Sequence, residues 1–112
     1  MVSYFPLDTR TAVPSAAAVL ARTFVGYDGN TAAAGAAAAG VFRTDGNINE
    51  ATTYYSYGCV PVTAGGPIAA GALVEVGPNG QAVAHNTGIV AGRAYNASVN
   101  VGDVLAVEIF HN

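Results

Sequence analysis

From residue 22 onward, short apolar runs alternate with turn-forming residues. The runs are RTFVGY, GVFRT, TTYYSYGCVPV, ALVEV, QAVA, GIVAGRAY and DVLAVEIF. They are rich in Val, Tyr and Phe and bounded by Gly, Asn and Asp, which predicts strands joined by tight turns. Asp28-Gly29 and Asn79-Gly80 favour positive φ and predict hairpins. The stretch NVGDVL predicts a turn feeding the last strand. The pattern allows one short helix, over 14–21 (PSAAAVLA), where Pro14 suits a first helical turn. An extended arm is the other reading of those residues.

The order of signals repeats. Phe24-Val25, Asp28-Gly29, Gly40-Val41-Phe42 and Arg43 are followed by a strand ending near Val62. Leu73-Val74, Asn79-Gly80, Gly88-Ile89-Val90 and Arg93 are followed by a strand ending near Ile109, about 48–51 residues on. A smaller echo links IAAGALVEV (68–76) with VNVGDVLAV (99–107). The repeat bears on the Ala-Gly run TAAAGAAAAGVF (31–42). Alanine is the best helix former, so a short surface helix is one reading. The run fills the slot of QAVAHNTGIV in the second half, however, and this predicts a strand and connection with small side chains. The expected fold is all-β, a small barrel or sandwich of two related halves. A β domain over 22–112 follows an extended N-terminal arm over 1–21.

Charge narrows the function. Of 112 residues, 7 are acidic and 4 basic, and the bases are Arg10, Arg22, Arg43 and Arg93. Charged residues make up 10% of the chain, against about 25% in a typical soluble domain. So charge-poor a surface predicts cover by other subunits. A net charge of −3 leaves no basic footprint for nucleic acid. The charge-free run 51–74 is long enough for a bilayer span of about 20 residues. Pro61, Gly65, Gly66 and Pro67 interrupt it, so no membrane partner is expected. Residues 9–24 faintly resemble a secretion leader, but Asp8 precedes them, Pro14 lies inside, and a basic start is lacking.

Little in the chain suggests catalysis or a cofactor. Cys59 lacks an activating partner at a telling spacing, with His85 and His111 as the candidates, and is read as a buried, inert thiol. One Cys and two His fall short of a structural zinc set. The acids form no close pair of the glycosidase kind. Gly35 and Gly40 have Walker A spacing, but Val41 and Phe42 follow where Lys and Ser/Thr are needed. No enzyme, cofactor or metal is expected.

Two segments read as contact surface. In TTYYSYG, Tyr54 and Tyr55 must face opposite sides of a strand. At least one is therefore expected outside the core, with Tyr57 beside them, unless the three cover a small core edge-on. Tyr is enriched at interfaces. At the start, Tyr4, Phe5 and Leu7 are apolar anchors among prolines with no visible periodicity. They predict an arm that orders on a partner or else a strap across its own domain.

The ordered series Phe24-Val25, Asp28-Gly29, Ala36 to Val41, Val62 to Val74, Gly80 to Val83, Gly88 to Ala94 and Gly102-Asp103 to Ile109 resembles a known family. It is similar to the small Ala- and Gly-rich capsid decoration (cement, head-stabilising) proteins of tailed bacteriophages, over about 22–110. The loop GNINEATTYYSYG departs from the short turn usual in the family, and segment 1–21 is longer than its core. The resemblance implies a non-enzymatic β protein on the outer capsid surface of the virion, present in the host cytoplasm during assembly. Its expected partners are the major capsid protein and itself, as a homotrimer. The rival reading is a carbohydrate-binding module, like part of a head fibre, that contacts host surfaces.

Overall fold

Each of the seven predicted runs contains a strand in the computed structural model, which describes residues 5–109. These are β2 (Phe24–Val25), β3 (Gly40–Phe42), β4 (Thr52–Thr63), β5 (Leu73–Val76), β6 (Ala82–Ala84), β7 (Val90–Ala94) and β8 (Val104–Ile109). A further strand, β1 (Phe5–Ala12), precedes them. Among the described residues there is no α-helix. Residues 13–21 are irregular, and the Ala-Gly run is a connection with one turn that enters β3.

The strands form one antiparallel sheet in the order β2-β3-β4-β8-β7-β5-β6, with β1 also paired to β4. The sheet curls into a nearly closed barrel. Ala64 bridges Ala82 across the gap, and Gly35 N–H donates to Val76 O at 2.8 Å.

The two halves repeat at the level of single hydrogen bonds. Gly26 N–H donates to Asn30 O, and Gly77 N–H to Gln81 O, both at 2.7 Å. Arg22 N–H donates to Phe42 O, and Gly71 N–H to Ala94 O, both at 2.8 Å. Phe24 and Val25 pair with Val41 and Gly40, as Leu73 and Val74 pair with Arg93 and Gly92. The turn Asn47-Ile48-Asn49-Glu50 matches Asn100-Val101-Gly102-Asp103. Each closes with a first-to-fourth bond and has positive φ at its third residue, 63° at Asn49 and 95° at Gly102. The register differs from the one the sequence suggests. Gly40 corresponds to Gly92, not Gly88, because β5 is longer than β2 by two residues.

Two cores result. Phe24, Val41, Val60, Val62, Val74, Leu105 and Val107 belong to the main one. Val19, Val25, Ala39, Phe42 and Ala12 form a second. Strands β2 and β3 are thus buried on both faces, and each large side chain they bury contributes about 1.5–3 kcal/mol. The halves pack front to back. Val25 and Phe42 face the second core, whereas their counterparts Val74 and Ala94 face the main one. On the other face of the second half, Arg93 and Glu108 are register partners and both are exposed. Side-chain alternation breaks within β4. Tyr55 and Val60 both face the main core although an even step would separate like-facing residues. Gly58, at φ 110°, absorbs the extra residue.

Candidate functional site

Strand β1 lies along β4, pairing Arg10 with Tyr54, Thr9 with Tyr55 and Asp8 with Tyr57. Its side chains from Asp8 to Thr11 are exposed, and Ala12 is buried. An exposed stretch needs no apolar alternation, and none is visible from Asp8 to Thr11. The arm thus forms the strap, lying on its own domain. Tyr4 lies outside the described residues, as do the side chains of Phe5 and Leu7.

Tyr54 and Tyr55 do face opposite sides, but both sides are cores. Tyr55 packs on the main cluster and Tyr54 on the second. The expectation that one would lie outside the core is corrected, because the strap, through Ala12 and Val19, helps build a second core. Tyr57 is 49% exposed.

Tyr54 and Tyr57 line a groove of about 400 Å³ with Asp8, Arg10, Tyr27, Ala39 and Ser56. Tyr27 is 70% exposed and stands on the turn after β2. Asp28 shapes that turn. Its carboxylate accepts from Asn30 N–H at 3.0 Å, and Gly29 takes φ 86°. The Asn30 side chain then ties the strap to the turn, accepting from Ser15 N–H at 2.8 Å and Ala16 N–H at 3.0 Å. Across the groove, Asp8 Oδ2 accepts from Ser56 Oγ–H and from Arg10 Nε–H, the latter at 3.1 Å. Those two hydrogen bonds, Ser56's first, hold the Asp8 carboxyl below its ordinary 3.8. It remains an anion beside a guanidinium and three phenol rings.

Such a groove offers flat amphipathic rings, a cation and an anion. That composition suits a protein surface or a sugar, since Tyr and Arg dominate binding hot spots. Asp8, Arg10, Tyr27 and Ser56 were not singled out from the sequence. Tyr27 reads there only as part of a turn, and the pairing of β1 with β4 spans some forty residues.

The other candidates lie apart. Cys59 is buried, as expected. His85 is exposed in its loop, with Nε2 3.0 Å from Gly88 O. His111 lies outside the described residues. Glu75 is buried, and its Oε1 accepts from Asn86 N–H at 2.5 Å and Gly88 N–H at 3.1 Å, fastening the 85–88 loop. Among the described residues no cluster of His, Cys, Asp and Glu could hold a metal ion.

No family model matches the chain, and no curated protein does. Solved structures do show a likeness. The fold is similar to that of the N base of head fiber gp8.5 of bacteriophage phi29. The match has a TM-score of 0.73 and covers 92% of this chain and 93% of that one. At 23% identity it establishes a shared fold. The head fiber base and this chain therefore share an architecture while differing at most positions.

Proposed function

We propose that this chain is a structural, non-enzymatic protein of a phage head: a decoration protein that binds the outer capsid surface and stabilises the shell. The observation that carries the reading is the fold likeness to a phage head fiber base across nearly the whole of both chains. The order of turn and strand motifs and the charge-poor composition support it. The partner is the major capsid protein, and the self-association is a homotrimer. The protein is made in the host cytoplasm and carried on the virion. The groove of Tyr27, Tyr57, Arg10 and Asp8 supplies an exposed contact, with Tyr54 as its floor. Several copies engaging one lattice gain avidity through effective concentration, and a ligand of the assembled shell alone stabilises it by mass action.

Co-sedimentation with intact capsids of its own virus tests the reading. The protein is expected in the capsid pellet, and Tyr27→Ala with Tyr57→Ala is expected to move it toward the supernatant without lowering its melting temperature. A protein that stays in the supernatant would falsify the proposal. The second reading is a carbohydrate-binding module of a head fibre. It is favoured by the likeness to a head fiber base and by tyrosines set beside a charged pair. Binding to a glycan array together with indifference to capsids would select it.

A further inference from the structure

We propose that β1 is an exchangeable strand, and that the stretch of β4 over 52–57 accepts β1 from a second copy of this chain. The inference does not depend on the capsid reading.

Three observations carry it. First, β1 stands outside the repeat. Strands β2, β3 and β4 have counterparts in β5, β7 and β8, and β1 has none among the described residues. Second, between Asp8 and Thr11 the strand is held mainly through its backbone. From Asp8 to Thr11 every side chain is exposed, so the ladder to β4 supplies most of the grip, with the Asp8–Ser56 hydrogen bond fixing position. Strand addition to a sheet edge works in this way. Backbone ladders do not distinguish a strand of the same chain from one of another. Third, the joint is visible. Val13 is half exposed between β1 and Pro14, which is buried and whose carbonyl accepts from Asn49 N–H at 2.7 Å. Asn30 holds Ser15 and Ala16 to the domain. Residues from Pro14 onward therefore stay home while β1 pivots about Val13.

Exchange keeps every contact of the closed form and adds none, so crowding copies together favours it. Eight extended residues span roughly 26 Å, so the acceptor must be a copy packed directly alongside. The resulting assembly closes on itself with each chain giving and receiving one strand.

Paired cysteines test this. Thr11 and Thr53 are register partners, and directly opposed residues in antiparallel strands lie at about 4.5–5.5 Å between Cα atoms, within disulfide reach. Two chains are made in a Cys59→Ala background, one with Thr11→Cys and one with Thr53→Cys. They are unfolded, mixed, refolded at millimolar concentration and oxidised. A large share of the oxidised protein, up to about half on random mixing of equal copies, is expected as a covalent pair of unlike chains. A chain carrying both substitutions reports on folding by closing on itself when dilute. If it closes and the mixture yields no unlike pair, exchange is refuted. As a second measurement, the full chain should self-associate by sedimentation at that concentration and a chain lacking residues 5–12 should not. A monomeric full chain, or equal association of both, also overturns the proposal.

Discussion

Gly40 and Gly92 hold the same place in the two halves, each pressed against a carbonyl of the neighbouring strand. A Cβ on Gly40 would lie 1.9 Å from Tyr55 O, and one on Gly92 would lie 2.4 Å from Glu108 O. Tyr55 and Glu108 are themselves counterparts. The repeat thus preserves a close approach of backbones as well as a hydrogen-bond pattern.

Alanine at either glycine forces strands apart, and overpacking of this kind costs about 1–3 kcal/mol. Gly40→Ala is expected to be the worse of the two, since its clash is the tighter. Gly66, with open space around it, is the control, and Gly66→Ala should leave urea unfolding nearly unchanged. Equal midpoints for all three variants would contradict the account.

Arg22 and Gly71 are counterparts too, and both have positive φ, at 63° and 81°. The left-handed conformation costs a side chain about 1–2 kcal/mol, less the roughly 0.5–1 kcal/mol that glycine loses in chain entropy. Arg22→Gly should therefore raise the melting temperature slightly and Gly71→Ala should lower it. Shifts of the same sign in thermal unfolding would count against this equivalence.

Much of the fold could be read from the sequence, because its strands bury alternating or continuous apolar side chains. Phe24-Val25 and Val41-Phe42 announce themselves as apolar pairs. What stayed hidden were features without a side-chain signature. Strand β1 presents Asp8, Thr9, Arg10 and Thr11 to solvent, so alternation is absent. Gly58 shifts the facing of β4 by one residue, which period-two counting cannot see. The match of NINE to NVGD is a likeness of turn geometry with little identity. For the groove, Tyr54 and Tyr57 were legible as aromatics in a strand. Tyr27, Asp8 and Arg10 join them only through distant pairing.

Glu75 is expected to be structural. Glu75→Ala removes the acceptor of two amides in a partly buried loop, at about 1–3 kcal/mol when buried donors go unsatisfied. Hydrogen exchange at Asn86 and Gly88 should quicken, and Glu75→Gln should restore part of the protection. Unchanged exchange in the alanine variant would rule out the fastening role.

Acid should loosen the turns before the barrel. Asp103 is held below its ordinary 3.8 by backbone hydrogen bonds from Asn100 and Val99, and Asp28 by one from Asn30. Asp8 is lowered by Ser56 and Arg10. Because folding lowers these values, the stabilisation is full above the unfolded value and fades as pH falls through the folded ones. Stability should be flat near neutrality and decline below about pH 3.8. Asp103→Asn should flatten that decline, and a variant with the unaltered acid profile would refute the assignment.

Removing β1 should uncover the second core. A chain without residues 5–12 loses Ala12 and the ladder beside Tyr54, so Val25 and Phe42 lie closer to water. Its melting temperature should fall, by about 4–8 °C for each kcal/mol lost in a domain of this size. An unaltered melting curve would show that the strap contributes nothing to the barrel.

The order of synthesis gives β1 a particular history. It leaves the ribosome before every other described strand, yet Ala12 must wait for Thr52 some forty residues later. At roughly 5–20 residues per second that is an interval of about 2–8 s. Hairpins such as 26–30 close in microseconds, so the first half is shaping itself while its earliest strand is still unmatched. Nascent chains side by side on one message would each present an idle strand at the moment a neighbour's β4 emerges.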